Sequence, residues 1–156
     1  DVEDDLPVAI YTQRDAEFVG AEVAVTVPLW SREKLDNNLR LFGDTVKAEL
    51  DNGEKLPYIP PWRVGANFDF GRESWTAGLD VIYYAKQNDI SSFKTAAYTM
   101  VNASFLYKIP AGAADWELFV RGTNLADEEA RKSTSVIAAY APLPGRSLHA
   151  GARLAF

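Results

Sequence analysis

The sequence predicts an all-β protein, an antiparallel up-and-down meander of about 7–8 strands that forms part of a transmembrane β-barrel. Three observations predict this fold. Apolar and polar residues alternate in segments of about ten residues, the connections between segments are alternately short and long, and aromatic residues stand at both ends of the segments. Strands with two unlike faces, joined by short turns at one end and long loops at the other, are typical of barrel proteins in membranes.

Seven segments carry the alternation, and each is long enough for a tilted strand to cross a bilayer. We predict strands over residues 18–29, 39–50, 62–70, 75–85, 101–108, 116–123 and 146–156. The stretch LPVAIYTQ near the start of the chain is a candidate for the end of an eighth strand. In residues 39–50 the alternation breaks near Gly43, where we expect a β-bulge.

The connections place the turns and the loops at opposite ends of the sheet. The short connections are residues 31–37, 71–73 and 111–115, and the long ones are 51–61, 87–97 and 134–145. In an antiparallel meander alternate connections lie at the same end, so all three long loops are expected at one end of the sheet and the short turns at the other. We expect them to be the outer loops of the barrel and the best candidates for substrate contact.

Aromatic residues follow the same geometry. Trp30, Trp75 and Trp116 are next to short turns, whereas Trp62 and Tyr83 are next to long loops. We predict two aromatic girdles, with the four tryptophans as their main members, bounding an apolar band that faces lipid.

Composition excludes several classes. The chain has 156 residues, 47% hydrophobic and 24% charged, as expected for a folded domain. Its net charge of −6 and the lack of a basic cluster argue against nucleic acid as a partner. There is no cysteine, so disulfides and thiolate metal sites are excluded, and no apolar run reaches the ~20 residues of a membrane-spanning helix. The first residues do not form a signal peptide.

Alternation alone leaves other architectures open. A soluble sandwich or a lipocalin-like barrel also has one apolar and one polar face, with the apolar face turned inward. The residues are therefore also compatible with a soluble ligand-binding β-protein. A complete eight-stranded barrel with a structural or adhesion role is a further alternative.

Several segments resemble the C-terminal end of a TonB-dependent outer-membrane receptor. They are LPYIPPWRVGANFDF, WTAGLDVIYYA, YTMVNASFLYKI, WELFVRGTNLADEEAR and APLPGRSLHAGARLAF. A further segment, YTQRDAEFVGAEVAV, resembles an earlier strand of the same barrels. The most specific feature is Asn124-Leu125 after the tryptophan-containing strand, followed by a loop and a last strand that ends on Phe156. The LPxIPPxR loop and the PLPGRS ending are most similar to receptors for zinc or other metals.

The resemblance implies a location, a fold and a function. It implies the bacterial outer membrane and a 22-stranded barrel filled by an N-terminal plug, of which residues 1–156 would be the C-terminal strands, without the plug and the earlier strands. It also implies active uptake of a scarce nutrient, such as a metal ion or a metal chelate, energised through the TonB complex by way of the plug. The implied partners are outer-membrane lipid, the barrel assembly machinery and a small nutrient. No enzymatic motif and no cofactor are expected.

Specific side chains can be assigned expected roles. By the resemblance, Phe156 with Leu154 and Leu148 would form the signal recognised by the assembly machinery. The strand parity places a second set on the opposite face, toward the lumen, as a cross-strand ionic lattice: Arg63, Asp69, Asp80, Lys108, Glu117, Arg121 and Arg153. His149 is the only histidine, so we expect it to hydrogen-bond a neighbour rather than to hold a metal.

Overall fold

The structure is a computed structural model that describes residues 13–29, 36–90, 93–112 and 114–155, and the backbone of residues 2–3 and 6–7. Its strands are β1 (Val2–Glu3), β2 (Leu6–Pro7), β3 (Ala16–Pro28), β4 (Asp36–Leu50), β5 (Arg63–Arg72), β6 (Trp75–Tyr84), β7 (Tyr98–Ala111), β8 (Ala114–Thr123) and β9 (Ser147–Ala155). A search of these described residues found no helix long and apolar enough to cross a membrane.

The long strands form one antiparallel sheet in chain order, from β3 to β9. This confirms the predicted all-β meander. The predicted eighth strand is not part of this sheet in the residues described, because Leu6–Pro7 pairs with Val2–Glu3 in a separate two-stranded sheet. The rest of that segment, residues 8–12, lies outside the described residues.

The ends of the sheet differ in the length of their connections. At one end a two-residue turn joins β5 to β6, and the pairing of β7 with β8 reaches Ala111↔Ala114, next to Gly112, whose φ of 72° suits a residue without a side chain. At the other end lie three long connections, which we call the first (51–62), second (85–97) and third (124–146) long loops.

The register gives the sheet two continuous and unlike faces. Directly paired residues share a face, so rows can be followed from strand to strand. We call apolar face the one that includes the rows Val25–Leu41–Ala66–Val81–Val101 and Phe70–Ala77–Phe105–Val120–Ala150. We call polar face the one that includes the rows Arg40–Asn67–Asp80–Asn102 and Asp69–Gly78–Ser104–Arg121–His149.

The apolar face has no protein packed against it in the described part of the chain. Val23 is 63% exposed, and Leu79 and Phe105 are exposed as well. A soluble sandwich would have sealed these side chains inside, so that alternative is wrong for the residues described. The closed eight-stranded barrel requires pairing between its first and last strands, but β3 and β9 are the two edges of the sheet.

The prediction of a β-bulge at Gly43 is wrong. The pairing of β3 with β4 runs without interruption from Ala16↔Leu50 to Pro28↔Asn38. The apolar pattern changes in β4 because its upper part is covered by the first long loop. Ala48 is buried there on the polar face, and its carbonyl accepts a hydrogen bond from the amide of Leu56 at 3.2 Å.

Candidate functional site

The three long loops meet at one backbone carbonyl. The oxygen of Ile59 in the first loop accepts a hydrogen bond from Nε2 of Gln87 in the second loop at 3.0 Å. It also accepts one from Oγ of Ser133 in the third loop at 3.3 Å. The second loop is itself closed by two backbone hydrogen bonds between Gln87 and Thr95, of 2.9 and 3.0 Å. The loops therefore form one connected cluster, which we call the loop cluster.

Most of the buried side chains of the described residues belong to this cluster or to the strand ends beneath it. They are Ala48, Ala85, Gln87, Ile90, Thr95, Tyr98, Asn124, Ala130, Ser133 and Ala138. Small apolar side chains and hydrogen-bonded polar ones dominate this set. The cluster thus has a small core of its own, whereas the sheet between its girdles has none on its apolar face.

Asn124 anchors the third long loop. Its side-chain amide donates to the carbonyl oxygens of Glu128 at 2.9 Å and Pro144 at 3.0 Å, and its Oδ1 accepts from the Glu128 amide at 2.9 Å. Its own amide donates to Oδ1 of Asn102 on the polar face at 3.0 Å. The φ of Asn124 is 49°, a left-handed conformation that asparagine tolerates better than most residues. Asn124 therefore joins both ends of the loop through its side chain and ties them to the sheet through its backbone amide.

The rest of the third loop is folded around Arg131. Its guanidinium donates to the carbonyl oxygens of Ala138 at 2.8 Å and Ala139 at 3.0 Å. Val136, Ile137 and Tyr140 remain exposed on the outer surface of the loop. The predicted substrate-contact segment 134–145 thus presents apolar side chains on a hydrogen-bonded frame.

An ionic contact joins the first and second loops. Lys55 pairs with Glu49 at the upper end of β4, and its Nζ lies 3.7 Å from Oδ2 of Asp89. The hydrogen bond to Glu49, together with the charge of Asp89, raises the pKa of Lys55. The contact is solvent-exposed, so its contribution to stability is small.

The polar face carries a network over β4, β5 and β6. Nε of Arg63 donates to Oδ2 of Asp44 at 2.8 Å. Nearby, Asn67 accepts from Arg40 at 3.3 Å and donates to Oδ1 of Asp80 at 2.7 Å. The network links three neighbouring strands through alternating charged and amide groups.

The ring of Phe42 lies within this network. The guanidinium carbons of Arg40 and Arg63 lie 4.9 and 5.7 Å from its centroid, within the range of cation–π attraction. The ring also covers Gly65, where an added Cβ would come within 2.5 Å of it. Glycine at this position therefore makes room for the aromatic ring.

All seven charged residues predicted to share a face lie on the polar face. They do not form one lattice. Arg63 and Asp80 belong to the network described above, and Arg153 bonds Glu117 through Nε at 2.8 Å. Among the described residues, no side-chain ion pair or hydrogen bond joins Asp69, Lys108 or Arg121 to a neighbour. Asp69 and Arg121 belong to the same row, but Gly78 and Ser104 lie between them, and their side chains are too small to bridge the two charges.

Several residues of this site were not predicted from the sequence. Arg40, Phe42 and Asp44 were missed because the break in the alternation of β4 hid their common parity. Asn124 was noted only as part of a motif. An asparagine directly after a strand and before a long loop is a recognisable turn former, and this pattern could have identified it.

The three tryptophans among the described residues lie at the two ends of the apolar face. At the long-loop end the rings of Trp62 and Tyr83 are 5.5 Å apart. At the short-turn end the ring of Trp75 lies 5.1 Å from that of Phe70 and 6.0 Å from that of Phe105. Trp116 is exposed at the same end, opposite Leu154. The predicted girdle member Trp30 lies outside the described residues.

Leu148 and Leu154, two of the three residues assigned to the assembly signal, are exposed on the apolar face of β9. The third, Phe156, lies outside the described residues. His149 is on the polar face opposite Arg121, with Nε2 3.3 Å from Oγ of Ser147. A search of the described residues found no group of three or more potential metal ligands.

Comparison with known proteins identifies the family. Residues 3–125 match the model of the family described as TonB dependent receptor-like, beta-barrel. Among solved structures, the protein named copper transporter OprC is similar in fold, with a TM-score of 0.73 and 19% sequence identity. That match covers 93% of this chain and 24% of OprC, so the chain spans about a quarter of that protein. No curated protein sequence matched. The chain belongs to the TonB dependent receptor-like β-barrel family, whose members are located in the bacterial outer membrane.

Proposed function

We propose that these strands are part of the wall of a receptor that takes up a scarce nutrient across the outer membrane with energy supplied through TonB. The observation that carries the proposal is the apolar face, which continues over seven strands with aromatic residues at both ends. Such a face is stable only if something apolar covers it, and the hydrocarbon of a bilayer meets that need. Membership of the family supplies the link to TonB.

In this proposal the two faces have separate tasks. The apolar face contacts lipid, and Phe156, Leu154 and Leu148 serve as the signal for the barrel assembly machinery. The polar face lines the lumen, where its charged residues contact water or the plug. The chain would then supply the C-terminal strands of a larger barrel, as its coverage of about a quarter of OprC supports.

The loop cluster would contact the substrate. In this proposal the loop cluster, at the long-loop end of the sheet, lies outside the membrane, as the long loops of outer-membrane barrels do. Its hydrogen-bonded frame holds exposed apolar side chains in place, which lowers the entropy cost of binding. We propose a metal ion or metal chelate as the nutrient. The support is the PLPGRS ending with the LPxIPPxR loop, and the name of the similar structure, a copper transporter.

Uptake measurements in cells test this function. The gene for the complete receptor would be deleted, and uptake of radiolabelled copper, zinc and iron chelates would be measured with and without active TonB. We expect the deletion to lower uptake of one of these metals, and the loss of TonB to lower it equally. Uptake of all three that is unchanged by the deletion would overturn the metal proposal, and uptake that does not depend on TonB would overturn the transport mechanism.

A second measurement tests the role of the loops. Removal of residues 134–140 from the third loop should abolish uptake while the barrel remains in the membrane. Substitution of an exposed residue at the short-turn end, Arg72→Gln, serves as the control and should leave uptake unchanged.

A further inference from the structure

The tip of the first long loop holds the only Asn-Gly pair of the sequence, Asn52-Gly53. β4 ends at Leu50, and the chain then turns back on itself. The amide of Leu50 donates to the carbonyl oxygen of Glu54 at 2.8 Å, and the amide of Gly53 donates to the carbonyl oxygen of Leu50 at 2.8 Å. Asn52 is therefore held, exposed to water, at the tip of a tight hairpin turn.

The side chain of Asn52 is folded back over the peptide bond that follows it. Its Oδ1 accepts a hydrogen bond from the amide of Glu54 at 3.0 Å, a contact that spans Gly53. A donor at this distance stabilises the negative charge that develops on a carbonyl oxygen during nucleophilic attack. The Glu54 amide is thus placed to stabilise the oxyanion that forms when a nucleophile adds to Cγ of Asn52.

The nucleophile nearest along the chain is the backbone nitrogen of Gly53. Its residue has a φ of 79°, and an added Cβ would meet no atom within 4 Å, so the surroundings of the turn are open. Glycine has no side chain that could obstruct the approach of its nitrogen to Cγ of Asn52. The hydrogen bond from Gly53 to Leu50 opposes the reaction, because the nitrogen must lose this proton before it attacks. The folded turn therefore reacts more slowly than an open chain.

We propose that Asn52 is a site of spontaneous deamidation, with water as the only co-reactant. The deprotonated nitrogen of Gly53 forms a bond to Cγ of Asn52, the Cγ–Nδ2 bond breaks, and Nδ2 takes up a proton and leaves as ammonia. Water then opens the resulting succinimide at either of its two carbonyl carbons, which gives aspartate or isoaspartate at position 52. The inference does not depend on the transported nutrient or on which face of the sheet contacts lipid.

The two products should differ in their effect on the loop cluster. Aspartate keeps the backbone and adds one exposed charge, which has little effect on stability. Isoaspartate routes the main chain through Cβ and Cγ, so the turn gains a backbone atom and no longer fits the hydrogen bond between Leu50 and Glu54. That pairing positions Lys55, whose Nζ lies 3.7 Å from Oδ2 of Asp89 in the second loop. Isoaspartate should therefore loosen the contact between the first and second loops.

Incubation of the complete receptor in detergent at mildly alkaline pH tests the proposal. Peptides that contain Asn52 or Asn88 would be sampled over time by mass spectrometry, with electron-transfer fragmentation to distinguish aspartate from isoaspartate. Asn88 is the internal control, since it is also exposed but is followed by Asp89 instead of glycine. The variant Gly53→Asp is the second control, because aspartate tolerates a left-handed φ but adds a Cβ beside the nucleophile.

We expect Asn52 to convert to both products before any conversion of Asn88, and to stay unconverted in Gly53→Asp over the same time. A synthetic peptide of residues 48–58 should convert faster than the receptor, because nothing holds the amide of its Gly53. Absence of conversion at Asn52, or equal rates at Asn88 or in Gly53→Asp, would overturn the proposal.

Hydrogen exchange tests the consequence for the loops. Exchange over residues 51–56 should accelerate as the isoaspartate fraction rises, whereas the variant Asn52→Asp, which has an ordinary backbone, should exchange as the unmodified receptor does. Equal acceleration in Asn52→Asp would show that the added charge, and not the altered backbone, loosens the turn, and would overturn this step. Both measurements use purified protein, so their outcome is separate from that of the uptake experiments.

Discussion

Leu118, in the middle of β8, is 42% exposed, whereas Asn124, just beyond the end of the same strand, is 1% exposed. The two residues represent two regions that are stabilised differently. The sheet between the girdles leaves large apolar side chains uncovered, while the loop cluster buries small and polar ones in hydrogen-bonded positions. The loop cluster is therefore stabilised by a core of its own, whereas the stability of the sheet depends on what covers its apolar face.

The largest expected effect comes from a charge on the apolar face. Leu118 and Phe119 are adjacent in β8, point to opposite faces, and are 42% and 41% exposed. Leu118→Arg should destabilise the barrel by roughly 2–4 kcal/mol in a bilayer, because its cation would lie in hydrocarbon. Phe119→Arg should cost less than half as much. Unfolding by urea in lipid vesicles measures both, and equal losses would contradict the assignment of the faces.

Loss of the Asn124 side chain should come next. Asn124→Ala removes three hydrogen bonds and leaves the part-buried carbonyl groups that accept from Asn124, those of Glu128 and Pro144, without these donors, at a cost of about 1–3 kcal/mol. The effect should be confined to the third loop. Hydrogen exchange should accelerate over residues 125–146 and stay unchanged in β5 and β6. Asn88→Ala, an exposed asparagine in the second loop, is the control.

A smaller effect is expected at the pair formed by Phe42 and Gly65. Gly65→Ala would bring a methyl group against the Phe42 ring and displace it from Arg40 and Arg63, with a cost of about 1–3 kcal/mol. Combining it with Phe42→Leu should recover part of that loss, because the smaller side chain leaves room. A double-mutant cycle by urea unfolding measures the coupling, and strictly additive losses would show that the ring does not occupy this position.

The smallest effect is expected at Lys55. Its pKa is raised above the ordinary value of 10.5, so its contact with Glu49 favours the folded loops below that pH and weakens as the pH rises through the higher folded-state pKa. Lys55 therefore stays charged between pH 7 and about 9, and the protection of the loop amides from hydrogen exchange should not change over this range on its account. Lys55→Gln should speed hydrogen exchange in residues 51–56 by a few-fold at most, as expected for an exposed ion pair. A large change would show that the contact supports the whole cluster.

The sheet could be predicted from the sequence, whereas the contacts of the loop cluster could not. The strands, the common face of the seven charged residues and the placement of the long loops at one end follow from a two-residue period and an antiparallel meander, which are local patterns. The strand over residues 39–50 was predicted, but the bulge expected at Gly43 was wrong, because the alternation is broken by Ala48, an apolar side chain on the polar face that the first long loop covers. The contacts of Ile59 with Gln87 and Ser133 could not be predicted either, since they join residues far apart in the chain through a carbonyl that every residue has.

The central claim is that the apolar face contacts hydrocarbon and the polar face contacts an aqueous or protein-filled interior. The chain has no cysteine, so spin labels can be attached to single cysteines introduced at Leu118 and Phe119 without competing sites. In the receptor reconstituted in lipid vesicles, the label at 118 should collide with oxygen, which concentrates in hydrocarbon, and be protected from a water-soluble nickel complex. The label at 119 should be protected from oxygen relative to 118. The reverse order, with 119 the oxygen-accessible position and 118 open to the nickel complex, would contradict the account.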